Sequence, residues 1–240
     1  MEQRPILSPG VAGGRQLTPA DIWARFAAAP APGKRGSPTG PVGHPRIAAA
    51  AETAARVRGD HDLNPDLLPQ GPLRAAAVLV PLVARPEGLS VLLTRRTDHL
   101  HAHAGQISFP GGMLDPGDAH AEDAALRETE EEVGIARALV ELVGRLDTYV
   151  TRTGFEVTPV VGLIDPPLSL ILDTFEVAEA FEAPLEFFLQ PGSLQQHSRQ
   201  FEGQERHFYV YPFNDHFIWG ATAGMLVNLS ELLTAPDKGD

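Results

Sequence analysis

Arg127-Glu128-Thr129-Glu130-Glu131-Glu132-Val133-Gly134-Ile135 places four carboxylates within five consecutive positions. On an α-helix, positions i, i+3 and i+4 share a face, so Glu128, Glu131 and Glu132 point together and Glu130 points elsewhere. Arg127 is spaced to pair with Glu131 one turn on. Crowded negative charge close to a helix C-terminus opposes the helix dipole as well as itself. The segment therefore predicts a helix that needs a cation beside it, and a divalent ion meets that need.

Working outward, DAHAEDAALRETEEEVG supplies the rest of that helix, with Asp118 as the expected N-cap and Gly134 as the expected C-terminal stop. Upstream, Phe109-Pro110-Gly111-Gly112 is a turn whose glycines admit close approach of a ligand to the backbone. Before it, AAAVLVPLVA and LSVLLTRR read as strands joined by an RPEG turn. Further strands are expected in ALVELVGRLDTYV, FEVTPVVGLI, EAFEAPL and the pair RQFEG/RHFYVYPF, and a last helix in WGATAGMLVNLSELL. Phe208-Tyr209-Val210-Tyr211 reads as alternating sheet core. Strands with one early and one late helix imply an α+β domain with a mixed sheet between helices.

Residues 1–70 differ in texture. Pro and Gly cluster in APAPGKRGSPTGPVGHP between two short helical patterns, the first opening at Thr18 as N-cap with Pro19 behind it. This region reads as an arm, followed by a domain over 71–236 and a tail over 237–240.

The 240 residues are 43% hydrophobic, enough for one sizeable core. The start, MEQRPILSPGVAGG, lacks the pattern of a secretory signal, and no run of about twenty apolar residues offers a membrane span. A soluble cytoplasmic protein is the expectation. The chain has no cysteine, which excludes thiolate metal sites and cysteine nucleophiles and leaves oxygen donors and histidine, suited to hard cations. A net charge of −12 disfavours nucleic acid and anionic membranes as partners, and a phosphate-rich substrate would need local positive charge.

Together, the acidic helix and the Gly-Gly turn resemble the Nudix hydrolases, whose box is G-x5-E-x7-R-E-U-x-E-E-x-G-U with U aliphatic. Residues 127–135 reproduce its right half, with Thr129 at the first aliphatic position. In the left half, fourteen residues separate Gly112 from Arg127 instead of thirteen, and Asp115 and Asp118 bracket the place of the usual glutamate. A preceding motif, LLTRRTDHLHAHAGQISFPGG, is similar to that of the coenzyme A pyrophosphatase branch, L-L-T-x-R-[SA]-x3-R-x3-G-x3-F-P-G-G. Leu92, Leu93, Thr94, Arg96, Gly105, Phe109, Pro110, Gly111 and Gly112 fall in register. Thr97 replaces the small residue and His101 the arginine. The resemblance covers roughly residues 70–235.

The resemblance implies the Nudix fold, an α/β/α sandwich, and a hydrolase of phosphoanhydride bonds that uses Mg²⁺ or Mn²⁺. Glu128 and Glu132 are the implied metal ligands, with Glu131 sharing a second ion or orienting water and Arg127 orienting the glutamates. The base is a box glutamate or a later carboxylate, for which Glu176 and Glu179 are the candidates. Arg96 and His101, with Gly105, Gly111 and Gly112, are implied at the substrate phosphates. With coenzyme A as substrate, the products are 4′-phosphopantetheine and adenosine 3′,5′-bisphosphate. ADP-ribose or NADH would suit the same box. A catalytically silent nucleotide sensor would be expected to have lost box glutamates, which are intact here.

Overall fold

The computed structural model describes residues 16–29, 57–67, 69, 71–99, 103–201 and 203–236. His101, the second N-terminal helical pattern, the Pro/Gly-rich tract beyond Ala29 and the 237–240 tail lie outside these residues.

Two long strands form the spine. β2 (Arg74–Arg85) turns at residues 86–87 into antiparallel β3 (Gly88–Arg96), as the RPEG turn predicts. Along β2 the side chains alternate between two cores. Ala77 and Leu79 pack with Ala121, Ala124 and Ala125 of the acidic helix, while Ala76, Val80 and Leu82 face the opposite cluster. Burial on both faces explains why the strand reads as an unbroken apolar run.

β8 (Phe155–Ile164) lies parallel to β2 over ten residue pairs, Arg74↔Phe155 through Val83↔Ile164. β9 (Val177–Pro184) is antiparallel to β3. Around them are β1 (Val57–Gly59), β4 (Ile107–Ser108), β5 (Gly111–Met113), β6 (Val140–Arg145) and β7 (Thr148–Val150), making one mixed sheet of nine strands among the described residues. A second sheet, β10 (Gln195–Phe201), β11 (Gln204–Phe213) and β12 (His216–Trp219), is antiparallel throughout.

Helices cover both faces of the large sheet, the expected α+β sandwich. On one face lies α2 (Ala121–Val133), the acidic helix. On the other are α1 (Pro19–Ala28), the short α3 (Leu185–Leu189) and α4 (Ala221–Thr234), which contribute Ile22, Leu185, Phe188 and Leu226 to the main core. None of the described helices is long and apolar enough to cross a membrane.

The expected helix start at Thr18 is present. Its side chain accepts from the Asp21 amide, and Asp21 accepts from the Thr18 amide at 2.8 Å, a reciprocal cap. Thus α1, within the stretch read as an arm, docks on the domain. Ile22 is fully buried in the main core, and β1 pairs parallel with β7. Ile22→Ala should cost about 2–4 kcal/mol, seen as a lowered urea midpoint with unchanged m-value. An unchanged midpoint would mean that α1 is not docked in solution.

One expectation about α2 is corrected. Its N-cap is His120, whose amide is accepted by Asp123 at 3.0 Å, and Asp118 lies outside the helix. The Asp118 carboxylate is taken by the Asp115 amide at 2.9 Å and by Arg127, so it cannot cap. The helix ends as expected at Gly134, in the left-handed conformation.

Candidate active site

Gly111 and Gly112, expected as a turn, instead open strand β5, which pairs antiparallel with β2 and lies against α2. A Cβ on Gly112 would stand 2.5 Å from the Glu128 carboxyl carbon, and one on Gly111 would meet the Ala77 carbonyl and, at 2.6 Å, the Val78 Cα. Only glycine lets this strand lie flat against β2 while the Glu128 carboxylate sits on its backbone. The carboxylates of α2 then form a graded series. The Glu132 side chain is 6% exposed, Glu128 20% and Glu131 60%, so the cluster runs from interior to rim. Glu130 leaves the other way and pairs with Arg137 at 3.6 Å.

Arg127 ties the series together. Its guanidinium donates to Asp118 through Nη2 at 2.9 Å and Nε at 3.3 Å, and Nη1 donates to Glu128 at 2.8 Å and Glu131 at 3.2 Å. Nη2 also reaches the Met113 carbonyl at 3.2 Å. The planar fork suits this many acceptors in a way an ammonium does not. Donation from Arg127, together with the Asp115 amide, holds the Asp118 carboxyl below the ordinary carboxylate range.

Glu132 has no such partner at close range. Burial raises its pKa first and most, Arg96 with Nη1 at 3.9 Å opposes the rise, and the charges of Glu128 and Glu176 add to it; the result is about 8. Burial likewise raises Glu128, despite the Arg127 bond. The site therefore holds more negative charge than its arginines neutralise.

Of the two later carboxylates, the structure brings only Glu176 into this group. Arg96 spans the pair, 3.7 Å from Glu176 and 3.9 Å from Glu132. The loop before β9 is fastened to the end of α2 by the amides of Ile171 and Asp173, which donate to the carbonyls of Val133 and Glu132 at 3.0 and 2.9 Å. Thr97 and Glu176 join the loop to β3 through their backbones at 2.9 Å. Glu179 lies apart from this group. It is engaged by Arg95 at 3.1 Å and His216 at 3.3 Å, whose ring stacks on Phe181. Burial acts to raise its pKa, but those bonds outweigh it and hold it below the ordinary value. Glu176→Gln should lower kcat by about tenfold or more, whereas Glu179→Gln should stay within about threefold of the parent. Equal losses in the two variants would return Glu179 to the site.

Sequence reading missed other parts. Thr129 stands where an aliphatic residue is usual; it is fully buried and satisfies its hydroxyl on the Ala125 carbonyl at 2.6 Å. The Asp118–Arg127 fork and the fastened loop leave no sequence signal, because they join residues 9 and more positions apart without a periodic pattern. Gly105 lies in the loop leading into β4, in the left-handed region.

Every candidate donor for a metal here is a carboxylate oxygen, and the cluster is short of positive charge, so a hard divalent cation fits its chemistry. Among the described residues, no three His, Asp or Glu side chains converge on a point that could hold a metal ion.

A NUDIX domain model matches residues 73–201. The uncharacterized Nudix hydrolase NudL of Photorhabdus laumondii subsp. laumondii is 42% identical over 158 residues, covering 66% of this chain and 84% of that protein. The protein of the same description from Escherichia coli (strain K12) is 43% identical over 157 residues, covering 65% and 81%. Among solved structures, a C. elegans Ap4A hydrolase binary complex overlays with a TM-score of 0.41 at 24% identity, covering 46% of this chain and 80% of that one.

Proposed function

The chain belongs to the Nudix hydrolase family, and on that premise we propose that it is a coenzyme A diphosphatase dependent on Mg²⁺ or Mn²⁺. It cleaves coenzyme A or its derivatives to 4′-phosphopantetheine and adenosine 3′,5′-bisphosphate. The observation that carries the hydrolytic part is the buried, under-neutralised Glu132 with Glu128, Glu176 and Arg96 around it.

A phosphoanhydride resists hydrolysis because its oxygens repel a nucleophile. A divalent ion, when bound, neutralises that charge and acidifies water. Glu128 and Glu132 would hold it, with Glu131 contributing from the rim. Arg127 fixes the rotamers of Glu128 and Glu131, and Gly111 and Gly112 keep the approach free of side chains. Glu176 is the candidate base that takes the proton from water. Arg96 keeps a buried Nε without a hydrogen-bond partner among the described residues, a donor available to a phosphate oxygen.

Support for coenzyme A over other nucleoside diphosphates comes from the motif preceding the box, of which Arg96, Gly111 and Gly112 are the residues that reach the cluster. His101 takes the remaining phosphate position in this reading. The catalytic domain is assigned to residues 71–236, with 1–70 as an arm docked through α1 and β1 and 237–240 as a tail, working in the cytoplasm.

The test is chromatographic product analysis after incubation of the protein and Mg²⁺ or Mn²⁺ with coenzyme A, ADP-ribose and NADH in parallel. Preferential release of adenosine 3′,5′-bisphosphate from coenzyme A is expected. AMP from the other two would keep the hydrolase and discard the substrate; no metal-dependent product would discard both.

A further inference from the structure

A cavity of about 460 Å³ opens between the small sheet, the residues around 59–67 and the start of α4. It shares no lining residue with the Glu128–Glu132–Glu176 cluster. Its size is that of a site for a small metabolite. In a chain with only 7% aromatic residues, five of them line it: Tyr149, Phe201, Phe208, Tyr209 and Trp219. The expectation of plain sheet core for residues 208–211 holds for Val210 and Tyr211, which are buried; Phe208 and Tyr209 are partly exposed to this cavity instead. Phe208 and Trp219 meet edge to face at 5.5 Å.

Two guanidiniums lie beside the Phe201 ring. Arg152 lies 4.7 Å from the Phe201 centroid, and Arg199 lies 5.8 Å from Phe201 and 5.3 Å from Trp219. Neither guanidinium has an ion-pair or hydrogen-bond partner among the described residues. The acids of the lining are already engaged: Asp60 by the Tyr149 hydroxyl at 2.8 Å and the Arg152 amide at 2.7 Å, Asp62 by the Gly59 amide at 3.2 Å, and Glu231 by Arg58. Arg152 and Arg199 are exposed residues that share the Phe201 ring, so two positive charges without a carboxylate of their own stand beside the aromatic lining, an arrangement suited to an anion.

We propose that this cavity binds a phosphorylated aromatic nucleoside, its base against Phe208 and Trp219 and its phosphate between Arg152 and Arg199. Gln106 connects it to the acidic cluster: it lines the cavity, and its carbonyl accepts the Arg96 amide at 2.9 Å. The ligand is therefore either the nucleoside end of the molecule hydrolysed at α2 or a separate nucleotide. The first source rests on the reading proposed above; the second does not.

The test is calorimetric titration of the full chain, free of metal, with adenosine 3′,5′-bisphosphate, adenosine and inorganic phosphate. The bisphosphate should bind at least about tenfold more tightly than either fragment, and the double variant Arg152→Gln/Arg199→Gln should weaken it about tenfold with an unchanged melting temperature. Trp219→Leu should also weaken it, while Glu132→Gln should bind as the parent does. No heat at millimolar nucleotide, or binding untouched by both the arginine and the tryptophan substitutions, overturns the proposal. Turnover then separates the sources. A raised KM at constant kcat in the arginine double variant assigns the site to the substrate's nucleoside, and an unchanged KM with nucleotide-dependent turnover assigns it to an effector. Binding is read without turnover, so a failed hydrolase assignment leaves this measurement intact.

Discussion

Glu132→Gln should lower kcat by roughly a thousandfold at saturating metal while leaving the fold intact. Glutamine keeps the volume and can accept from the Gly111 amide, so no cavity opens, and Arg96 retains Glu176 at 3.7 Å. What is lost is the most buried negative charge of the site. The same change should stabilise the protein when metal is absent. A carboxylate whose folded pKa is raised from 4.5 to about 8 favours the folded state while protonated, and this stability is lost as pH rises from below 4.5 through about 8. The metal-free parent should therefore melt progressively lower toward pH 9, by on the order of 3 kcal/mol, and the variant should lack that slope. In the parent, added Mg²⁺ or Mn²⁺ should restore more melting temperature at pH 8 than at pH 6, because binding requires the deprotonated form. Thermal melts across pH 5–9 with and without metal check both statements. Parent-like turnover, or a metal-free variant that melts no higher than the parent at pH 9, would remove Glu132 from the role given to it.

Period and spacing made the long strands β2, β3, β8, β9 and β11, the long helices and the shared face of Glu128, Glu131 and Glu132 readable before any coordinates, but not β1, β5 or β12, whose Trp219 the sequence pattern puts in the last helix. The readable parts depend on local rules: alternation along β2, glycine at the end of α2, and helical repeats of three and four. The parts that escaped are non-local or satisfy two rules at once. Asp118 has the chemistry of a cap and the right distance from the apolar run, yet it is held by the Arg127 guanidinium, and the helix starts at N-cap His120, whose amide Asp123 accepts. Glu176 and Glu179 look alike in sequence. The bond from the Asp173 amide to the Glu132 carbonyl delivers Glu176 to Arg96, while Arg95 and His216 hold Glu179. The small sheet carries the same ambiguity: strand propensity marks β11, but its partly exposed Phe208 becomes a cavity wall only because β12 sets Trp219 against it.

Arg127→Gln should remove both activity and stability. The side chain leaves four acceptors, of which Asp118, at 6% exposure, has no other cation within ion-pair distance among the described residues. Removing the guanidinium strands the Asp118 carboxylate, whose pKa it holds down, so the melting temperature should fall measurably. Glu128 and Glu131 also lose the donor that fixes their rotamers, so kcat should fall by about a hundredfold. Arg127→Lys keeps the charge but cannot fork onto Asp118 while reaching Glu128 and Glu131, and it should recover melting temperature more than turnover. The second change Asp118→Asn discriminates the two effects. In Arg127→Gln/Asp118→Asn the stranded carboxylate is gone, so melting temperature should return most of the way to the parent, while turnover stays low because the glutamates remain unpositioned. Turnover that recovers together with stability would show that Arg127 acts only through the fold.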